Sequence, residues 1–286
     1  MGKDKKHKKN KQATGPSLAE QADLHVMYQH AVQAVDTEVE FFEDTYQLLR
    51  GKAPVSMKED FCGTALLSVE WCRSNPQRTA VGVDICGDTL AWGIEHNIEP
   101  AGDDIKQRLT TIKADVRDVV EPKVDITCAL NFSFCIFKTR DALRGYFEKV
   151  REGLKDDGML ILDMFGGTEC LDELEEETDM DEVDATYVWE HAKFNPITNE
   201  ILCHIHFDFP DGSRMDKAFT YDWRLWSLAE IKELLLEAGF SKVRIYWEEF
   251  EEEDDDDDFM EATGNFFEAT EVENQESWQV YVVAEH

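Results

Sequence analysis

The chain has 286 residues, 42% of them hydrophobic, and a formal charge of −33. That length holds one large α/β domain or two small ones, and the charge repels phosphate backbones, so nucleic acid is disfavoured as the main substrate. No apolar run approaches membrane-spanning length and no signal-peptide core occurs, which predicts a soluble cytoplasmic protein.

Residues 1–16 are a lysine-rich polar tail that cannot pack, expected to be disordered. Its composition also suits a nuclear-entry signal, so a nuclear location is compatible. Met1-Gly2 is not followed by the Ser or Thr that a myristoylation signal needs, since Lys6 stands there. Residues 17–53 read as two helices that cover the site. Ser17 with Glu20 and Thr37 with Glu40 are capping-box patterns. Leu24, Met27, Tyr28, Ala31 and Val35 give the first helix its apolar spacing. Val39, Phe42, Tyr46 and Leu49 give the second, which stops at Gly51. Tyr28 and His30 are the residues here with reach to a ligand.

Pro54 to Trp71 reads as a strand, a tight loop at Cys62-Gly63-Thr64, and a helix start carrying Leu66, Leu67, Val69 and Trp71. Such a loop offers free backbone N–H groups to a ligand. Strands follow at Thr79–Asp84, Leu109–Ala114, Val124–Leu130 and Met159–Met164. The helical repeat of Leu143, Tyr146, Phe147, Val150 and Leu154 lies between the last two. Alternating strands and helices predict a mostly parallel sheet covered on both faces, with ligands beyond the carboxyl ends of the strands. The strand-end residues are Glu59, Asp84, Asp115, Asn131 and Asp163. Four carboxylates in that series point to one common ligand bearing hydroxyls, amines or positive charge.

The composition then turns β-rich. Thr186–Phe194, Glu200–Phe209 and Ser213–Trp223 are read as an antiparallel unit inserted over 186–226, with Pro210-Asp211-Gly212 as a hairpin turn. Ser227 caps a helix that ends at Ala238-Gly239-Phe240. A sixth strand (Val243, Ile245, Trp247) and a seventh (Trp278, Val280, Val282) are expected to pair as an antiparallel hairpin at one edge. The acid-rich stretches 169–184 and 248–261, the latter with aspartates at 254–258, are read as solvated loops. A basic protein partner or divalent cations are the ligands such runs would take. The seven cysteines form no CxxC pair and read as buried free thiols, with no metal site.

Over residues 54–286 this order resembles the class I S-adenosylmethionine-dependent methyltransferases, in a branch similar to small-molecule N-methyltransferases. Glu59-Asp60-Phe61-Cys62-Gly63-Thr64-Ala65 resembles their first motif, Asp84 their ribose-binding acid, and Ala114-Asp115-Val116 their adenine-contacting motif. Leu234 to Phe240 before a terminal hairpin is similar to their C-terminal half. Asn131-Phe132-Ser133 resembles the strand-four motif of glycine-type N-methyltransferases. The resemblance implies a Rossmann-like α/β sheet, mostly parallel with the last strand antiparallel, plus N-terminal helices and an inserted antiparallel β unit. It implies S-adenosylmethionine as cofactor, with Glu59, Cys62, Gly63, Thr64, Asp84, Ile85, Asp115, Val116 and Asn131 holding it. Phe61 and Ala65 replace the first and third glycines of the family's loop, which implies either a loop that sits differently there or a cofactor that is not bound.

The implied acceptor is a small molecule, an amine or a carboxylate-bearing metabolite. Tyr28, Asn131, Trp223 and Arg224 are the substrate-side candidates, Arg224 for its fit to a carboxylate. The sequence names no catalytic base. His191, His204 and His206 lie in the inserted unit, the latter two on one strand face at metal-compatible spacing. A protein methyltransferase acting on a basic target and a non-catalytic, methyltransferase-like binding protein are the alternatives. A nucleotide-linked oxidoreductase would need G-x-G-x-x-G, which is absent.

Overall fold

The computed structural model describes residues 15–180, 182–252 and 260–286. The lysine-rich tail and the 254–258 aspartates lie outside the described residues. The N-terminal helices are α1 (Leu18–Gln21), α2 (Leu24–Val32) and α3 (Val35–Arg50). Ser17 and Glu20 form the expected capping box, and Asp23 separates α1 from α2 by capping the latter. Thr37 caps nothing: α3 has already begun at Val35, three residues earlier than the pattern suggested. The helix stops where Gly51 turns left-handed.

Then come β1 (Ser56–Asp60), α4 (Leu66–Ser74), β2 (Thr79–Asp84), α5 (Gly87–Gly93), α6 (Asp103–Arg108), β3 (Leu109–Lys113), β4 (Val124–Ala129), α7 (Arg140–Glu152) and β5 (Leu154–Gly166). β1 to β5 are parallel, in the order β3-β2-β1-β4-β5. The inserted unit is β6 (Leu174–Asp179), β7 (Thr186–Asn195), β8 (Glu200–Asp208) and β9 (Arg214–Arg224), a four-stranded antiparallel sheet. α8 (Leu228–Glu237), β10 (Lys242–Glu252), β11 (Met260–Ala269) and β12 (Trp278–Glu285) complete the chain.

Two acid-rich stretches expected as loops are partly strand. β6 pairs with β7 through Glu175, Glu176 and Glu177, and β10 runs on to pair with β11. Charged side chains suit strands whose one face meets water. The last two expected strands do pair antiparallel, but not as the sheet's edge. β12 enters between β5 and β10, and β11 forms the rim beyond.

The sheet is packed on both faces. Leu143, Tyr146, Phe147 and Val150 of α7 and Ile231, Leu234 and Leu235 of α8 are buried on one side. Phe42 and Tyr46 of α3 and Leu67, Val69 and Trp71 of α4 fill the other. Each such side chain contributes roughly 1.5–3 kcal/mol. α3 also carries Phe41, whose ring stacks on Tyr281 at 4.2 Å. That contact holds the N-terminal half of α3 against β12 of the sheet. No helix among the described residues is long and apolar enough to cross a membrane.

Candidate active site

The loop after β1 is wound by alternate left-handed residues: Phe61 (φ 60°), Gly63 (φ 52°) and Ala65 (φ 56°). Only the middle one is a glycine, so two residues with side chains hold a conformation that costs on the order of 1 kcal/mol or more each. Three hydrogen bonds keep it there. Cys62 N donates to Val83 O (3.0 Å), Ala65 N to Cys62 O (2.7 Å) and Gly63 N to Asp84 Oδ2 (2.8 Å). The Phe61 backbone takes a glycine-like conformation, and its ring lies 6.2 and 5.9 Å from those of Phe137 and Tyr146. On the far side, Gly93 of α5 permits contact with the loop: a Cβ there would sit 2.3 Å from Thr64 O.

The loop lines a cleft of about 200 Å³ together with Glu59, Asn131 and Ser133. α2 roofs it. Gln29 Nε2 donates to Thr64 Oγ1 (2.8 Å), and His25 and Tyr28 face the space. Of the residues expected at the cofactor, Glu59, Cys62, Gly63, Thr64 and Asn131 form the cleft's walls. Asp84 reaches it through Gly63 N, its other oxygen accepting from Cys86 N (2.7 Å). Ile85, 70% exposed, stands beside it at the strand end. Asp115 and Val116 lie outside the walls. Asp115 grips Arg117 at Nε (2.9 Å) and Nη2 (2.6 Å), which holds its carboxyl below the usual range, and Val116 is buried.

The strand-end acids thus serve separate purposes. Glu59 Oε2 accepts from Ser68 N (3.0 Å) and Ser68 Oγ (2.5 Å) at the start of α4. Asp163 accepts from the N–H groups of Asn131 (2.7 Å) and Phe132 (2.9 Å), both left-handed, with φ 54° and 57°. Burial pushes Glu59 up to about 8 and Asp163 up to about 7, the hydrogen bonds opposing it in each case. Glu38 of α3, which the sequence did not single out, faces the same edge. Burial, then the charges of Asp163 and Glu59, push it up to about 8.

A second cavity, about 340 Å³, opens between the large sheet and the inserted one. Asn131 and Tyr28 line both it and the cleft, so the two meet there. Its walls are aromatic. Tyr187 and Trp189 come from β7, Tyr221 and Trp223 from β9, and Phe165 and Trp278 from the large sheet. Tyr221 and Trp223 stack at 4.3 Å. Burial pushes the Tyr28 phenol up to about 12, partly offset by its hydrogen bond with Tyr221. Three of the substrate-side candidates, Tyr28, Asn131 and Trp223, therefore converge. Arg224 does not: its guanidinium lies over Trp226 at 3.7 Å and pairs with Glu230 at 2.8 Å. Adjacent strand residues face opposite ways.

His191 lines this chamber, whereas His204 and His206 do not. The latter two share a face as expected, 6.0 Å apart, but His204 meets Thr220 Oγ1 (2.9 Å) and His206 meets Glu190 (2.9 Å) and Lys217 N (3.0 Å). No group of three or more metal-binding side chains occurs among the described residues.

No protein-family model matches the chain, and no curated protein matches it. Solved structures do. An S-adenosylmethionine-dependent methyltransferase from Clostridium acetobutylicum superposes with a TM-score of 0.64 at 15% identity, over 91% of this chain and 96% of that one. CalS10 of Micromonospora echinaspora, an amino pentose methyltransferase, gives 0.62 at 12%, over 92% and 96%. KedS8 of Streptoalloteichus, a sugar N-methyltransferase, gives 0.58 at 15%, over 98% of both.

The chain has the class I methyltransferase fold. Within that methyltransferase fold, the 61–65 loop, Asp84 and Asn131 fall along the carboxyl edge of the parallel strands, where open α/β sheets take their ligands.

Proposed function

We propose that this protein is an S-adenosylmethionine-dependent methyltransferase acting on a small molecule. The observation that carries the reading is the meeting of the loop-lined cleft and the aromatic chamber at Asn131 and Tyr28. One compartment suits a nucleoside-bearing donor, and the other is sized for a small acceptor. Neighbours in fold named for acting on an amino pentose and a sugar nitrogen support that size class.

The residues present fit the cofactor. Glu38, Glu59 and Asp163 are buried carboxylates at one edge, and among the described residues neither Lys nor Arg lines the cavities around them. S-adenosylmethionine carries two cations, an ammonium and a sulfonium, and such a site stabilises positive charge. Gly63 and Asp84 offer hydrogen-bonding groups for its hydroxyls. The cofactor supplies an activated methyl group. The chain's own part is to bind, to align donor and acceptor, and to exclude water.

The raised acids make binding pH-dependent in a defined direction. Groups lifted to between about 7 and 8 hold protons at pH 6. A bound cation favours their ionised form, so binding expels protons and affinity grows with pH, by roughly tenfold per unit for each proton released. S-adenosylmethionine affinity, measured by calorimetry, should rise from pH 6 to 8.5 and level off, more steeply than that of S-adenosylhomocysteine, which lacks the sulfonium. The free protein should show the opposite trend. A carboxyl raised on folding stabilises the fold below its unfolded value and loses that contribution as pH rises through the folded one. Melting temperature should therefore fall between about pH 5 and 8, less so in Glu38→Gln. The reading itself fails if neither ligand binds at any pH. A transfer screen against metabolites and against basic peptides separates a small acceptor from a protein one.

A further inference from the structure

The chamber's composition is selective. Seven acidic residues line it and the two cavities it adjoins: Glu169, Glu176 and Glu248 around the chamber itself, Glu38, Glu59, Asp60 and Asp163 around the other two. No Lys or Arg lines any of the three among the described residues. Glu248 has its carboxyl raised by burial alone. Much of the remaining wall is aromatic, chiefly Trp189, Tyr221 and Trp223. A cation over such faces gains from their quadrupoles, most of all when desolvated.

His191 is an independent pointer. It is 8% exposed, its ring faces the chamber, and among the described residues neither Nδ1 nor Nε2 has an aligned hydrogen-bond partner. The neighbouring carbonyls of Glu169 and Asp172 can only accept, so the imidazole's acceptor nitrogen is buried without a donor, a costly arrangement that calls for one from a ligand. Burial also lowers its pKa, with the Glu169 and Asp172 carbonyls countering only in part, so it is neutral and able to accept.

We propose that the chamber takes an acceptor whose reactive end is an amine, cationic in solution, enclosed by Trp189, Tyr221 and Trp223, with Glu248 as counter-charge and the His191 imidazole as its hydrogen-bond acceptor. Carboxylate- and phosphate-bearing acceptors are excluded by the same acids, against the expectation attached to Arg224. The transfer step, which alone rests on the methyltransferase reading, then balances as follows. The ammonium gives one proton to neutral His191. The freed lone pair forms the new N–C bond to the methyl of the sulfonium donor as the C–S bond breaks, and the sulfur keeps that bonding pair. The product is a methylated ammonium, and the proton on His191 leaves to solvent.

The test is binding, read by calorimetry and by quenching of tryptophan fluorescence at pH 7.5. Benzylamine, cyclohexylamine and tetramethylammonium are compared with benzyl alcohol and benzoate, with and without S-adenosylhomocysteine. At least one of the cations should bind about tenfold or more tightly than benzyl alcohol, the scale of a desolvated cation–π contact, and benzoate should not bind. Glu248→Gln and Trp223→Leu should each weaken the cation at least about fivefold while leaving S-adenosylhomocysteine affinity unchanged. His191→Phe should weaken benzylamine but not tetramethylammonium, which has no N–H to donate. The proposal is overturned if benzoate binds as well as benzylamine, if no cation outbinds benzyl alcohol, or if Glu248→Gln changes nothing. If the amines bind as expected while S-adenosylhomocysteine does not, the amine site stands and the methyltransferase reading falls.

Discussion

Replacing Asp84 by alanine is expected to lower affinity for S-adenosylhomocysteine by roughly 30-fold, about 2 kcal/mol, with little change in melting temperature. The carboxylate joins two backbone N–H groups, Gly63 in the loop after β1 and Cys86 at the start of α5. Hydrogen bonds to a charged group are worth about 1.5–3 kcal/mol, but this carboxylate is partly exposed and its bond to Cys86 N lies at the surface, where water can take its place. Stability is therefore largely kept. What water cannot replace is the set position of Gly63 and an acid at the strand end for the ligand's hydroxyls. Asp84→Asn keeps one acceptor and should fall between wild type and Asp84→Ala. Calorimetry beside a thermal melt separates the two effects, and an alanine variant of undiminished affinity would remove Asp84 from the site.

Asp163→Ala should do the reverse, costing on the order of 3 kcal/mol of stability. Its two buried oxygens satisfy consecutive N–H groups of a partly buried turn. Each orphaned donor costs about 1–3 kcal/mol; relaxation of the left-handed residues at Asn131 and Phe132 would return part of that. The relaxation carries its own consequence. Phe132 packs 4.6 Å from Phe165 in the chamber wall, and Asn131 sits where the two compartments meet. Where the variant still folds, amine binding should be lost along with the denaturation midpoint. Asp163→Asn, with one remaining acceptor, should be milder on both counts. A midpoint unchanged in Asp163→Ala would show that the turn is held by packing instead.

The sheet was legible because its signals are local: apolar runs, helical repeats, and acids closing each strand. The functions of those acids were not. A carboxylate after a strand can meet a ligand or satisfy the N–H groups of the turn that follows, and both demands produce the same residue at the same place. Asp163 and Glu59 answer their own chain, and Asp115 answers Arg117. The chamber was half visible. Tyr187, Trp189 and His191 on one strand, and Phe219, Tyr221 and Trp223 on another, alternate with period two and so share faces. That same period already separates Trp223 from Arg224. Hidden was the partner surface: Phe165 and Trp278 come from β5 and β12, and their meeting with the inserted sheet is a matter of topology, which no local pattern records. Glu38 was hidden likewise, as one acid among many on a helix whose docking alone buries it.

The helix α2 spans a junction. Gln29 is tied to the loop at Thr64, and Tyr28 packs on Phe219 at 4.7 Å in the inserted sheet, while α1 is fastened to the 211–213 turn by Leu18 N and Ala19 N. Two compartments fed by different ligands therefore share one nine-residue wall. Whatever ordering either ligand imposes on that wall need not be supplied again by the other. Donor and acceptor should accordingly assist each other's binding through this wall, in addition to any contact they make where the compartments meet, and a glycine pair placed in α2 should weaken that coupling before it unfolds anything else.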